Sequence, residues 1–308
     1  MIDTQEKRIK QRIDQVEFDL KEATDFSFLK EYGQVFCVFD QNDSGNISFG
    51  VQNQTGEKFF IKVAGAKTIE GNEALQTNIQ RLQETLKVYQ DLKYPSVIEC
   101  LSSGSTANLF YVVFKWHEGE CLYDHWNFDF YHKNPDVKTP RHRIFELPTT
   151  AKLRLAEMIL DFITFVEHQN YVAVDFYDGS LMYDFERQQL TICDIDLFKK
   201  TPSKNEEGID YWGTKRMKAP EEYQLGATID SQTNVFTVGA LFLNLFGEYP
   251  REILEQIYQE NCFIPMPIDK WSLSKANYLV LLKAVQPKRS QRFSSVAKLR
   301  EAWRASLK

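Results

Sequence analysis

The sequence holds little of what a metal-built or disulfide-built protein needs. Its five cysteines (Cys37, Cys100, Cys121, Cys193 and Cys262) are scattered over 308 residues without a CxxC pair, and its five histidines lack ligand spacing. That pattern excludes a zinc framework and a disulfide scaffold, and points to a reducing compartment, the cytoplasm. No apolar run approaches the roughly 18 residues that cross a bilayer, so no membrane span is expected. The N-terminal stretch MIDTQEKRIKQRIDQ is charged throughout and does not read as a signal peptide. A basic excess is also missing. The net charge of −6 argues against a general nucleic-acid partner. There is no internal repeat and no low-complexity tract.

What is present is apolar and aromatic. With 43% hydrophobic and 14% aromatic residues, the chain can bury a large core and is not disordered. Ile9, Ile13, Val16 and Leu20 recur at steps of four, three and four, which predicts an amphipathic helix within residues 1–27. From about 32 to 63 the pattern becomes strand-like: QVFCVF, the polar cluster DQNDSG, NISFGVQ, a turn, then KFFIKV. A helix with Leu75, Ile79, Leu82, Leu86 and Tyr89 on one side covers 69–92, and LFYVVF at 109–114 reads as a buried strand. The second half is mainly helical, starting with AKLRLAEMILDFITFVEHQ and continuing over 234–246, 250–260, 275–285 and 294–306. Residues 127–150 read as an irregular insertion with aromatic anchors.

Two stretches carry chemistry. In DQNDSGNISFG the small and polar residues supply backbone N–H groups and tolerate left-handed conformations, as a phosphate-cradling turn requires, although many hairpin loops look the same. In YVAVDFYDGSLMYDFERQQLTICDIDLF two strand-like segments close on acidic residues, Asp175 and the DID of Asp194–Asp196. Such carboxylates either end strands in an ordinary way or converge on a metal and a reacting hydroxyl.

The order of the parts resembles the protein kinase family, in particular the bacterial-type serine/threonine branch. Lys62 follows Gly45 by 17 residues at the end of FFIKV, as a strand lysine follows the GxGxxGxV loop. The glycine positions read Asp40, Asn42 and Gly45, and the valine position reads Ile47. LKYPSVIEC is similar to the LxHPNIV turn, and FYVVFKWHEGECL to the hinge. Asp175 with Ser180 five residues later, then ICDID, resembles HRDxxxxN and DFG. GTKRMKAPEE has the GTxxYxAPE spacing, with Arg292 of RFSSVAKL as the natural ion-pair partner of Glu221. IDSQTNVFTVGALFLNLFGE is similar to the DVWSLG helix, with Asn234 at the usual aspartate.

The resemblance implies an α+β, bilobal protein-kinase-like fold: an N-lobe over 28–114 and a C-lobe over 115–308. It implies ATP and Mg²⁺ as cofactors and a protein hydroxyl as acceptor. Lys62 would pair with the α- and β-phosphates, Asp40, Asn42, Gly45 and Ile47 would line the phosphate loop, and Phe114 would be the gatekeeper. The backbones of Lys115 and His117 would meet the adenine edge. Asp175 would orient the acceptor hydroxyl, and Asp194 and Ser180 would bind metal. Glu84, or Glu73 three helical turns before it, would hold Lys62. Several motif positions depart from the family: HR reads Ala173-Val174, the loop lysine reads Tyr177, and DFG reads Asp-Ile-Asp. Two other readings stay open, a small-molecule kinase of the aminoglycoside or choline type and a non-catalytic pseudokinase that binds nucleotide.

Overall fold

A computed structural model describes residues 8–40, 44–71, 74–123 and 128–308. The chain divides into two compact units, residues 1–93 with 97–118, and residues 94–96 with 119–308. The first is rich in strands and the second in helices, the α+β order expected from the sequence.

The first unit is built on a five-stranded antiparallel sheet. Its strands are β3 (Gln34–Phe39), β4 (Ile47–Gln52), β5 (Lys58–Ala64), β6 (Cys100–Ser105) and β7 (Phe110–Lys115), in the order β3-β4-β5-β7-β6. Alternation puts Ile47, Phe49 and Val51 of β4 with Ile61 and Val63 of β5 into one core, all fully buried. Helix α1 (Leu75–Asp91) turns Asn78, Leu82, Thr85, Val88 and Tyr89 inward. The edge strand β6 reads CLSSGS and is largely exposed, so it lacks the apolar pattern by which the other strands are recognised.

Residues 9–20 correct the helical expectation. They form a hairpin of β1 (Ile9–Ile13) and β2 (Val16–Leu20), pairing Ile9 with Leu20 and Ile13 with Val16. The helical steps of four, three and four are also the steps of two short strands separated by a two-residue turn. The turn residue Asp14 takes φ +53, which aspartate tolerates, and its carboxylate accepts the Val35 N–H at 2.7 Å, tying the hairpin to the sheet. Phe18, absent from the helical pattern, is buried edge-to-face against Phe26 and Phe49.

The second unit is organised by two long helices, α4 (Thr149–His168) and α5 (Ser231–Phe246). α5 is buried on nearly every side and starts at Asp230, whose carboxylate caps the Gln232 N–H at 2.9 Å. α6 (Arg251–Glu260), α7 (Lys275–Ala284) and α8 (Val296–Ser306) follow. Trp303 of α8 is fully buried against Phe242 and Phe246. Short strands position the loops: β8 (Glu120–Cys121), β10 (Leu181–Asp184) and β11 (Gln189–Ile192) make one sheet in the order β11-β10-β8. β9 (Tyr171–Val172) pairs with β12 (Lys199–Lys200), and β13 (Ser203–Lys204) with β14 (Thr228–Ile229). The segment expected to be irregular holds two short helices, α2 (Phe128–Lys133) and α3 (Pro140–Glu146), the latter capped by Thr139 with proline at its first position. No helix among the described residues is long and apolar enough to cross a membrane.

Glu167 near the end of α4 ties three elements together. Its carboxylate accepts the Val296 N–H at 3.1 Å and the Asn234 amide at 3.5 Å. Burial pushes this carboxyl up to about 7, against the effect of those hydrogen bonds. A carboxyl raised on folding favours the native state while protonated; that contribution is complete below its ordinary value of 4.5 and is lost as pH rises through about 7. Urea unfolding at pH 5 and pH 8 should therefore show the parent losing roughly 2 kcal/mol more than Glu167→Gln, whose amide does not titrate. Equal losses in the two proteins would remove Glu167 as the cause.

Candidate active site

The acidic residues that close the two strand-like segments, Asp175 and Asp194, lie in the second unit, on loops fixed from several sides. Asp175 follows β9 in a loop whose backbone is held by α5: the Asn234 amide oxygen accepts the Ala173 N–H at 2.8 Å. Asp175 has φ +56, a left-handed conformation, and the half-turn after it closes around the Ser180 side chain. The Ser180 hydroxyl donates to the Asp175 carbonyl and accepts the Tyr177 N–H, both at 3.3 Å. Surrounding bonds of this kind are what a strained conformation needs in order to persist.

Ser180, expected as a metal ligand, is fully buried, and its hydroxyl closes the loop's own backbone, so its small polar side chain has a structural use. Asp194 follows β11, half-buried, and the adjoining Cys193 N–H donates to the Ser180 carbonyl at 2.9 Å. The two loops are thus linked by backbone, with the acidic residues on either side of the link.

Tyr177 stands where the family has a lysine. Its ring lies against Gly179: a Cβ on that glycine would fall 2.4 Å from the ring and 2.7 Å from the phenol oxygen. Burial, and then the charges of Asp175, Asp194 and Asp178 in that order, push the phenol far above its ordinary range. The hydroxyl therefore stays neutral in the field of three carboxylates. Lys218 is nearby and buried, donating to the carbonyls of Ile209 and Tyr211. Burial lowers its ammonium, while the carboxylates of Glu222 and Asp175 act the other way.

The segment ending in APE is held by a buried cluster. Arg292 grips Glu221 through two bonds of 2.7 and 2.8 Å, the ion pair expected from the sequence, and Arg289 adds a third contact at 3.1 Å that the sequence did not suggest. Burial would raise the Glu221 carboxyl, but the arginine contacts outweigh it and hold it below the usual range. Asp178 was also missed. It is almost wholly buried and takes a forked pair of bonds from Arg216 and one from Asn244. An aspartate in a Tyr-Asp-Gly turn carries no sequence sign of a partner 38 positions away.

The residues expected to bind nucleotide lie in the first unit. Lys62 sits mid-strand in β5, opposite Ser48 of β4 and Val112 of β7. Ile47 and Phe114 are buried, and Phe114 packs edge-on against Tyr89 of α1 at 4.9 Å. The Lys115 N–H donates to the Glu99 carbonyl at 2.9 Å; burial, reinforced by the Lys115 charge, lowers the His117 imidazole. Asp40 is half-buried, and burial raises its carboxyl against the lowering effect of backbone hydrogen bonds. Gly45 has φ +75. Asn42 and Glu73 lie outside the described residues.

Glu84, expected to hold Lys62, lies on the solvent side of its helix. It is exposed on α1, where it accepts a bond from Gln80 at 2.9 Å, while Thr85 faces inward. It stands one position off the buried stripe, about 100° around the helix. The inward polar residue that acts on the loop is Asn78. Its amide donates to the Ser44 carbonyl at 2.9 Å and to the Asn46 side chain at 3.2 Å, and it accepts the Gly65 N–H at 3.1 Å. The loop after Asp40 is therefore bonded to the first turn of α1.

A strand-rich unit carrying a mid-sheet lysine, followed by a helical unit with two linked acidic loops and a clamped APE segment, has the order of parts of a protein-kinase-like fold. The family model for the protein kinase domain matches residues 41–303, and the chain belongs to that family. No individual curated protein matches the chain significantly.

Because Arg292 is fully enclosed at its charged end, Arg292→Met would leave the Glu221 carboxylate buried with the more exposed Arg289 and the Thr233 hydroxyl beside it. A loss of about 3 kcal/mol in denaturant unfolding is expected, the usual cost of removing one partner of a buried pair. A change below about 1 kcal/mol would mean that Arg289 suffices.

Proposed function

We propose that the protein is an ATP- and Mg²⁺-dependent phosphotransferase that moves the γ-phosphate to a hydroxyl, with protein serine or threonine as the acceptor class. The observation that carries the reading is the pairing of Asp175 and Asp194 about one neutral phenol in loops locked to each other. Two carboxylates serve different parts of one in-line displacement. Asp175 accepts the proton of the acceptor hydroxyl as its oxygen forms a bond to the γ-phosphorus and ADP leaves. Asp194 supplies the oxygen ligand for a hard cation. Such a cation is commonly held by one or two carboxylates plus phosphate oxygens, so the absence of a cluster of three or more ligating side chains among the described residues is compatible with it. When bound, the cation neutralises charge on the phosphates. Lys62 takes the α- and β-phosphates, and the chain segment Phe114–His117 takes the adenine edge.

The APE segment, with Glu221 clamped by arginine, favours a protein acceptor over a small molecule, because that segment belongs to the protein-kinase branch. One set of observations favours the non-catalytic alternative. The Ser180 hydroxyl closes the loop, the lysine position holds Tyr177, and Glu84 faces away from the core. These remove charge and metal ligands while leaving the two aspartates in place.

Transfer of radiolabelled γ-phosphate to protein and small-molecule pools separates the three readings. Asp175→Asn, which keeps shape and hydrogen bonding, should lower turnover by roughly two to four orders of magnitude while nucleotide binding survives. Asp194→Asn should instead weaken Mg²⁺-dependent nucleotide binding, because a formal charge beside the metal is lost. Parental binding and turnover in both variants would show that these carboxylates are not the site.

A further inference from the structure

The buried Asp178–Arg216 pair has a part to play in that reaction. Arg216 stands two residues beyond Thr214 in the APE segment, and Asp178 three residues beyond Asp175 in the catalytic loop. The guanidinium grips the carboxylate as a fork, Nη2 to Oδ1 at 2.7 Å and Nη1 to Oδ2 at 3.1 Å. The side chains are only 6% and 3% exposed. Asn244 of α5 donates to the same carboxylate at 2.9 Å, and the guanidinium lies 4.4 Å from the centre of the Tyr123 ring. The carboxylate of the pair thus takes three hydrogen bonds from the chain itself, while Arg216 Nε is buried without a hydrogen-bond partner.

Its location matters more than its strength. Asp178 lies inside the turn that Ser180 closes onto the Asp175 carbonyl, so whatever fixes Asp178 fixes the backbone that presents Asp175. On the other side, the segment leading to Arg216 is held by bonds of its own. Asn205 is fully buried and accepts the N–H groups of Glu207 and Gly208 at 3.0 and 2.7 Å, and β13 pairs with β14. Meanwhile Val174, directly before Asp175, offers neither charge nor hydrogen bond to a phosphate placed on the segment. An arginine within the segment faces an aspartate in the loop, the reverse of a loop arginine facing a phosphate on the segment.

We infer that Arg216 is a positioning residue: by pairing with Asp178 it anchors segment 203–219 to the catalytic loop and sets Asp175, so that no phosphate on the segment is needed. Breaking the fork leaves one charge buried without its partner, and the loop and segment both loosen. The inference rests on the phosphotransferase reading for its effect on turnover, but the anchoring itself can be measured without turnover.

The test uses the full chain and reads two quantities, hydrogen exchange over 173–180 and 203–219, and kcat against KM for ATP. Arg216→Met should speed exchange in both stretches and lower kcat at least tenfold at an unchanged KM for ATP. Arg216→Lys keeps the charge without the fork, and should show an intermediate loss in kcat at the parental melting temperature; it also serves if Arg216→Met does not fold. Phosphatase treatment, and the double change Thr201→Ala with Ser203→Ala, should leave both readouts within about threefold. Unchanged exchange and kcat in a folded Arg216→Met or Arg216→Lys protein would overturn the anchor, as would activity that phosphatase abolishes. If the parent transfers no phosphate yet Arg216→Met still loosens 173–180, the anchor stands and the catalytic reading fails.

Discussion

The loops that carry the acidic residues depend on one helix being buried. α5 is enclosed on nearly every side, yet it carries Asn234 and Asn244, and each bonds a polar group of the loop. Asn234 meets the Ala173 N–H two residues before Asp175; Asn244 meets the Asp178 carboxylate three residues after it. A buried polar side chain left unmatched is costly, so the helix and the loop hold each other in a single register. The remaining bonds extend this frame. Ser180 closes the loop on itself, Cys193 joins it to the strand before Asp194, and Arg216 joins it to the segment that ends at Glu221.

The same principle organises the first unit on a smaller scale. Asn78 is buried at the start of α1 with three polar contacts, and they reach both the loop after Asp40 and the Gly65 backbone. Whatever orders that loop acts on the first turn of the helix, because they share one side chain. Three asparagines, Asn78, Asn234 and Asn244, therefore tie loops to helices through hydrogen bonds of their amides.

Much of this was legible in the sequence where apolar periodicity governs. The strands around Lys62, helix α4 and helix α5 announce themselves by burial, and so does the spacing that brings Glu221 to Arg292. Periodicity failed at 9–20, where the same intervals fit a helix or a hairpin, and Phe18 with its alternation against Val16 and Leu20 decides for the hairpin. It failed at β6 because an exposed edge strand needs no apolar face. At Glu84 a position one residue from the inward stripe was enough to place it in solvent. The polar contacts of Asp178, Asn78 and Arg289 left no trace, because a side chain's partner is set by tertiary placement and not by its neighbours in the chain. Ser180 shows another case: the bonds its hydroxyl makes within the loop could not be read from its position in the motif.

The contact between Tyr177 and Gly179 bears on how this loop can change over evolutionary time. With tyrosine at 177 the ring fills the volume that any side chain at 179 would need, since an added Cβ would lie 2.4 Å away. A contact that short forces a backbone or ring to move. A side chain at 179 therefore requires the Tyr177 ring to shift, and a smaller or more flexible residue at 177, for example a lysine, would ease it. The two sites are coupled, and the easier order of mutational steps takes 177 first. A lineage that acquired the tyrosine also made alternatives at 179 more costly.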